Sequence, residues 1–172
     1  MTVDKAVVCF AHGKESGPWG TKIRRLADEA RALGWPVESL DYRGMDVAAR
    51  VARLSAWCDT CDAPPVLVGS SMGAHVALTQ GARARALFLL APAVYMPGYD
   101  PAATPPPPPA VPLTLVHGWA DEVVPVDAAL RYAREAGCTL HLLPGDHRLL
   151  DHLDTLAVLF REFLLSLQPG ER

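Results

Sequence analysis

Long hydrophobic runs are missing from this sequence of 172 residues. The apolar stretches at Ala6–Ala11 and Ala86–Ala91 are far shorter than the roughly 20 residues that a membrane-spanning helix needs. A strong excess of one charge is also missing, since the formal net charge is −3. Neither nucleic acid nor a membrane is therefore expected as a partner. No signal peptide is visible, so we expect a cytoplasmic protein.

Cysteine is scarce, and the four cysteines do not form the pattern of a disulfide framework. Cys58 and Cys61 form a lone CxxC that closes a predicted helix, whereas a redox motif opens one, and no second ligand pair suggests zinc. A dinucleotide fingerprint is missing too, because "HGKESG" follows the first predicted strand. We therefore expect no cofactor and no metal.

The sequence does contain short apolar runs that alternate with amphipathic stretches. Helical spacing is seen, for example, at Val47, Val51, Leu54 and Trp57. The predicted strands are Asp4–Ala11, Pro36–Asp41, Pro65–Gly69, Ala86–Leu90, Pro112–His117 and Thr139–Leu143, and the predicted helices are Thr21–Leu33, Asp46–Trp57, Met72–Gly81, Asp127–Ala136 and Leu153–Leu167. This order predicts a single α/β domain over residues 1–172, a three-layer α/β/α sandwich with about six parallel strands. The carboxyl ends of the strands would meet at one edge, where such sheets bind ligands.

The segment 92–109 breaks this alternation. It has no helical period and ends in five consecutive prolines, which favour a stiff polyproline II conformation. We interpret it as a rigid connector near the ligand-binding edge. The alternative is that Tyr95, Met96 and Tyr99 form a wall or flap over the site. No large cap domain is predicted.

A serine flanked by glycines lies in "VLVGSSMGAHVAL", where residues 69–73 fit the pattern G-x-S-x-G with Ser71 at its centre. A predicted strand precedes this pattern and a predicted helix follows it. Such a sharp turn exposes the central hydroxyl, and the glycines let strand and helix approach closely. Ser71 is therefore predicted as a nucleophile, with the backbone N–H of Met72 as a donor to an oxyanion.

A serine nucleophile needs a base and a carboxylate that orients the base. Asp121 follows the fifth predicted strand in "LTLVHGWADEVVP", and His147 follows the sixth in "LHLLPGDHRLL". Together with "FAHGKESGPWG" and "DYRG", these pieces resemble the α/β-hydrolase superfamily in its small esterase or thioesterase form without a cap. The resemblance spans nearly the whole chain. It implies Ser71 as nucleophile, His147 as general base and then acid, and Asp121 as the orienting carboxylate.

The resemblance also implies a second oxyanion donor after His12 and Gly13, which is the backbone N–H of Lys14. The charged residues Lys14 and Glu15 depart from the apolar or small residues often found there. The residues expected to line the substrate pocket are His12, Trp19, Tyr95 and Trp119.

Other residues compete for each role. Ser70 lacks the glycine spacing, and Glu122 is the main alternative to Asp121. Asp127 suits the first turn of a helix, and Asp146 is directly adjacent to the predicted base. The other histidines are His12, His75, His117, His141 and His152, of which His117 is expected to shape the acid loop.

These observations predict hydrolysis of a small-molecule carboxylic ester or thioester with a small to medium acyl group. Two alternatives remain. The protein could be an interaction protein that retains the fold without catalysis, which Lys14, Glu15 and the proline-rich segment would suit. The same three residues could also serve an amidase, a peptidase or an acyltransferase.

Overall fold

The computed structural model describes residues 6–98 and 104–168 of the chain. Its strands are β1 (Val8–Ala11), β2 (Val37–Leu40), β3 (Val66–Ser70), β4 (Ala86–Leu90), β5 (Leu113–Gly118) and β6 (Thr139–Leu143). Its helices are α1 (Thr21–Ala32), α2 (Val47–Cys58), α3 (Met72–Thr79), α4 (Val126–Ala136) and α5 (Leu153–Ser166).

The six strands form one parallel sheet in the order β2-β1-β3-β4-β5-β6. Every residue of β1, β3, β4 and β5 is buried, whereas β2 and β6 at the two edges are partly exposed. Because all the strands are parallel, the loops that follow β1, β3, β5 and β6 meet at one edge.

Helices cover both faces of the sheet. On one face α1 and α5 pack against the strands, and Phe10 and Phe88 contact Phe160 there. On the other face α2, α3 and α4 cover a second core that includes Leu54 and Tyr132. The predicted three-layer α/β/α sandwich is therefore confirmed. In the described ranges no helix is long and apolar enough to cross a membrane.

Several element boundaries differ slightly from the predicted ones. β1 begins at Val8 rather than Asp4, which lies outside the described residues. α3 ends at Thr79, and a 3-10 turn at Gly81–Arg83 follows it. Asp46 lies just before α2 rather than inside it, and its carboxylate accepts from the N–H of Ala49 at 2.8 Å.

The described part of the proline-rich segment, residues 104–109, forms neither helix nor strand. The Tyr132 hydroxyl of α4 donates to the carbonyl of Pro106 at 3.0 Å, which ties the segment to the body of the protein. Tyr99, which belongs to the alternative of a wall or flap, lies outside the described residues.

Candidate active site

Ser71 lies on a sharp turn between the central strand β3 and helix α3. Its φ of 55° and ψ of −117° fall in a region that non-glycine residues rarely adopt. Two backbone hydrogen bonds tie the turn to the end of β4. The Ser71 N–H donates to the Leu90 carbonyl at 2.9 Å, and the Ser71 carbonyl accepts from the Ala93 N–H at 3.2 Å. Strain of this kind persists only where the surrounding structure fixes it, and here it presents the hydroxyl at the sheet edge.

Two glycines make this turn possible. A Cβ at Gly73 would lie 1.9 Å from the carbonyl oxygen of Ala11, and a Cβ at Gly69 would lie 2.5 Å from Cα of Ala74. Both clashes are with backbone atoms, which cannot move aside as a side chain would. The two positions therefore require glycine if β1, β3 and α3 are to approach as they do.

The loops that follow β5 and β6 are joined to each other. The N–H of Trp119 donates to the Leu143 carbonyl at 2.9 Å, and the N–H of Ala120 donates to the Gly145 carbonyl at 3.0 Å. A Cβ at Gly118 would lie 2.3 Å from that same Gly145 oxygen. This close contact brings the side chains of Asp121 and His147 together.

A continuous line of hydrogen bonds connects three side chains at the sheet edge. His147 Nε2 lies 2.9 Å from Ser71 Oγ, and His147 Nδ1 lies 2.7 Å from Asp121 Oδ2. Because a carboxylate only accepts, Nδ1 carries the proton, which leaves Nε2 of the neutral ring free to accept from the serine hydroxyl. The Asp121 side chain is fully buried, whereas that of His147 is 19% exposed. The arrangement can activate a hydroxyl that solutes can reach.

The competing acids and the competing serine lie outside this line of hydrogen bonds. Glu122 is exposed, and Asp146 accepts from the backbone N–H groups of Arg148 and Leu149. Ser70 Oγ accepts from the Lys22 ammonium at 2.9 Å. The structure therefore brings Ser71 together with Asp121 and His147, whereas Asp146 and Ser70 bind other partners.

His117 lies behind the acid loop. Its Nε2 donates to the Val124 carbonyl at 2.9 Å and lies 3.3 Å from Asp121 Oδ2. The ring is fully buried, and burial lowers the pKa of His117, which favours the neutral form. These contacts fix the turn that carries Asp121.

The loop after β1 lies directly over the serine turn. A Cβ at Gly13 would come within 3.6 Å of Ser71 Cβ. The N–H of Met72 belongs to the first turn of α3, where helix N–H groups have no acceptor within the helix. Lys14 and Glu15 are exposed.

The four residues predicted to line a pocket have different surroundings. His12 is fully buried: its Nδ1 donates to the Gly13 carbonyl at 2.7 Å, and its Nε2 accepts from the Tyr42 N–H at 2.9 Å. Burial lowers the pKa of His12, in keeping with a neutral ring that holds this loop. Trp19 and Trp119 are 37% and 57% exposed. The Tyr95 hydroxyl donates to Glu135, and its ring packs against Tyr132 of α4.

Sequence reasoning missed two cationic residues near the site. Lys22, on α1, donates to Ser70 Oγ, and its burial, together with the charge of Arg148, lowers its pKa to about 8. Arg50, on α2, is 1% exposed and donates to the carbonyl of His12 at 2.8 Å. The predicted apolar face of α2 did not include Arg50, yet the buried residues of that helix are Arg50, Leu54 and Cys58. The sequence carries no signal for this burial, because the partners of Arg50 are backbone carbonyls of a distant loop.

Potential metal ligands and thiols are also present in the part of the chain that the structure describes. No group of three or more His, Cys, Asp or Glu side chains there is arranged to hold a metal ion. Cys58 and Cys61 are free thiols, and burial raises the pKa of both, which disfavours the reactive thiolate.

Comparisons with known proteins agree with this architecture. Residues 8–170 match the model of the "Alpha/beta hydrolase family". A comparison with curated proteins found no match. A solved structure from Xanthomonas campestris pv. campestris, described as a hydrolase of the alpha/beta superfamily, is 33% identical, with a TM-score of 0.84 over 94% of this chain and 99% of that chain.

More distant structures share the fold. Est1E from Butyrivibrio proteoclasticus, in its structure with ferulic acid bound, is 17% identical, with a TM-score of 0.79 over 96% of this chain and 90% of that chain. An esterase from Pyrococcus furiosus is 15% identical, with a TM-score of 0.76 over 95% of this chain and 83% of that chain. The family match covers nearly all of the chain, and the sheet and the serine turn agree with it. The chain belongs to the α/β-hydrolase family.

Proposed function

We propose that this protein is a serine hydrolase that cleaves a carboxylic ester or thioester with a small to medium acyl group. The observation that carries the proposal is the hydrogen-bonded line from Ser71 Oγ through His147 to Asp121, with distances of 2.9 and 2.7 Å. It supplies a nucleophile, a base and an orienting carboxylate in the geometry that acyl transfer needs.

In the first half of the reaction, Ser71 Oγ attacks the carbonyl carbon of the ester while His147 Nε2 takes the hydroxyl proton. The carbonyl oxygen becomes an oxyanion, for which the backbone N–H groups of Met72 and Lys14 are the proposed donors. His147 then gives its proton to the departing alcohol or thiol. The bond from the acyl carbon to the leaving group breaks, and an acyl ester of Ser71 remains.

In the second half, water replaces the leaving group. His147 Nε2 takes a proton from the attacking water and returns it to Ser71 Oγ as the acyl bond breaks, so the carboxylic acid leaves and the enzyme is restored. The buried carboxylate of Asp121 stabilises the imidazolium that forms in both halves.

An open site supports a small or medium substrate. Ser71 is partly exposed, as is the ring of His147, and over the described residues no cap domain covers the sheet edge. The structural neighbours include an esterase, and the neighbour Est1E has been seen with ferulic acid. These neighbours share little sequence with this chain, so the acyl group is inferred from the openness of the site.

The direct test is intact-mass spectrometry after treatment with a fluorophosphonate probe. We expect one adduct on the wild-type protein, none on Ser71→Ala, and one on Ser70→Ala, which removes the neighbouring hydroxyl. An ester and thioester panel would then define the substrate. If well-folded wild-type protein takes no adduct, the proposal is wrong and the interaction-protein alternative takes its place.

The nature of the acceptor separates a hydrolase from a transferase. Product analysis in water, and then with an added alcohol or amine, would measure how the acyl group divides between them. We expect the free acid to dominate. A product in which an added acceptor outcompetes water at millimolar concentration would identify an acyltransferase instead.

A further inference from the structure

Arg50 is an arginine in the core. It is the fourth residue of α2, is 1% exposed, and is among the largest fully buried side chains of the described residues. Charged side chains are almost never fully buried without partners, because they lose their hydration. The position of its guanidinium therefore needs an explanation.

The guanidinium donates to backbone carbonyls of the loop after β1. Its Nη1 lies 2.8 Å from the carbonyl oxygen of His12, and Nη1 and Nη2 lie 3.4 and 3.5 Å from that of Gly13. Its Nε donates to the carbonyl of Met45 at 3.2 Å, and the ring of Tyr42 lies 5.6 Å away. The planar fork thus reaches two successive carbonyls of one turn, which a lysine ammonium could not match in geometry.

Peptide geometry turns this contact into an orientation of the oxyanion donor. The carbonyl of Gly13 and the N–H of Lys14 belong to the same planar trans peptide, so they point in opposite directions. The Gly13 oxygen is held by Arg50 and also accepts from His12 Nδ1 at 2.7 Å. Fixing that oxygen toward the core turns the N–H of Lys14 away from it. Gly13 packs against Ser71, so the serine turn lies beside the peptide that carries this N–H.

We propose that Arg50 is a positioning residue for the oxyanion hole, which holds the peptide between Gly13 and Lys14 so that its N–H faces the reacting carbonyl. This inference rests on the proposed function. Arg50 is not a catalytic residue, because it acts through the loop and does not touch the substrate. Its positive charge behind the loop also favours the negative oxygen that forms in the transition state.

Three variants separate these contributions. Arg50→Lys keeps the charge and loses the fork, and Arg50→Met loses both. Arg53→Met is the matched control, because Arg53 lies on the same helix with an exposed side chain. The concentration of active sites is measured first by fluorophosphonate titration, at a temperature where each variant is folded by circular dichroism. All rates are then expressed per titrated site, so that partial unfolding does not count as loss of catalysis.

Loss of a whole oxyanion donor lowers the rate about 100- to 1,000-fold, so a donor that is only misaligned should have a smaller effect. We expect Arg50→Met to lower kcat about 10- to 100-fold with KM changed less than about threefold, and Arg50→Lys to lie between it and the wild type. The inhibition constant of an aryl trifluoromethyl ketone, whose tetrahedral adduct places an oxyanion in the hole, should rise in proportion. Arg53→Met should match the wild type in every measurement.

The inference is overturned if both Arg50 variants fold and their kcat per site and inhibitor affinity equal those of the wild type. A KM effect without a kcat effect would also overturn it, because that pattern belongs to ground-state binding. If Arg50→Met does not fold, Arg50→Lys decides the question.

The orientation of the Lys14 N–H bond keeps this test separate from that of the proposed function. If the wild type takes no probe and turns over no ester, the proposed function fails, and that orientation is then measured by NMR residual dipolar couplings in the wild type and the same variants. A changed orientation in Arg50→Met and Arg50→Lys, but not in Arg53→Met, would support the positioning of this peptide. An unchanged orientation in all of them would overturn it.

Discussion

Each oxygen of the Asp121 carboxylate has its own set of donors. Oδ1 accepts from the backbone N–H groups of Val123 and Val124 at 2.9 and 2.8 Å. Oδ2 lies 2.7 Å from His147 Nδ1 and 3.3 Å from His117 Nε2. Backbone N–H groups can only donate, whereas a histidine nitrogen can also accept, so the atom at the Oδ1 position has to be an acceptor.

This assignment makes Asp121→Asn an informative substitution. The backbone donors would keep the amide oxygen at the Oδ1 position, which leaves the amide nitrogen facing His147 Nδ1. That ring nitrogen would then have to accept, so Nε2 would carry the proton and could no longer act as a base. We expect kcat for an ester to fall on the order of 10⁴-fold.

The matched control for that substitution is Glu122→Gln, which changes the exposed neighbouring carboxylate. Its kcat should stay within about twofold of the wild type, since it lies outside the line of hydrogen bonds. If the kcat of Glu122→Gln fell as far as that of Asp121→Asn, the orienting carboxylate would have been assigned to the wrong residue.

Lys22, which contacts Ser70 beside the candidate site, makes the stability of the protein depend on pH. Its burial lowers the pKa to about 8 in the folded protein, against about 10.5 for an ordinary lysine. Between these two values the unfolded chain binds more protons than the folded protein. The free energy of unfolding contributed by this group therefore rises as the pH increases from about 8 to 10.5.

Lys22→Met removes that dependence. We expect the difference in unfolding free energy, wild type minus Lys22→Met, to increase from pH 8 to pH 10, measured by urea denaturation at both pH values. The other titrating groups are common to both proteins and cancel in the difference. An identical difference at the two pH values would show that Lys22 keeps an ordinary pKa in the folded protein.

At the scale of residues, the sequence predicted the proximity of side chains whose positions follow from strand ends. Ser71, Asp121 and His147 each come directly after a predicted strand, and parallel strands bring such positions to one edge. Arg50 and Lys22 were not predicted, because their partners are a backbone carbonyl and a hydroxyl that lie 38 and 48 residues away in sequence. A pairing with distant backbone atoms leaves no pattern in a single sequence.

At the scale of elements, the approach of β1, β3 and α3 determines the shape of the site. The backbone of β1 passes so close to the first turn of α3 that only a hydrogen fits at Gly73. The same approach brings the loop after β1 over the serine turn. Where backbones pack this closely, the addition of even a single methyl group changes the stability of the protein.

Gly73→Ala tests this packing. Its Cβ would lie 1.9 Å from the Ala11 carbonyl oxygen, and both elements are backbone that cannot yield cheaply. Overpacking costs about 1–3 kcal/mol and sometimes more, and we expect a loss of at least about 3 kcal/mol in unfolding free energy. Gly98→Ala is the control, because a Cβ there meets no described residue within 4 Å, and its effect should stay within about 0.5 kcal/mol. Urea denaturation measures both, and equal stabilities would mean that β1 and α3 lie further apart.

The helical pattern predicted where the elements lie better than which side of a helix is buried. On α2 the spacing of Val47, Val51, Leu54 and Trp57 predicts one apolar face, and the structure turns the helix so that Arg50, Leu54 and Cys58 are buried. Val51 and Trp57 pack at the margin of the core. An apolar pattern cannot place an arginine inside, because its burial depends on carbonyls that another loop supplies.

At the scale of the whole molecule, one parallel sheet gathers loops that are far apart in sequence. The strand order places β3 at the centre between β1 and β4, and β5 and β6 complete the same side. The sequence predicted a parallel sheet because the strands are short apolar runs, most of them joined by helical crossovers, and such crossovers are right-handed. It could not predict the described path of the proline-rich segment, since polyproline II has no internal hydrogen bonds and takes its position from contacts such as that with Tyr132.

The open edge of this sheet leads to a prediction about chain length. Fully burying a methylene group contributes about 0.8 kcal/mol, which is roughly a fourfold gain in kcat/KM per carbon when an enclosed pocket covers the acyl chain. Here the site residues reach solvent, and no cap domain is present over the described ranges 6–98 and 104–168. We therefore expect kcat/KM for p-nitrophenyl esters to rise by less than fourfold per carbon from acetate to butyrate and to level off or fall by octanoate. A steady fourfold rise through octanoate, measured below the critical micelle concentration of each ester, would instead require an enclosed acyl pocket beside Ser71.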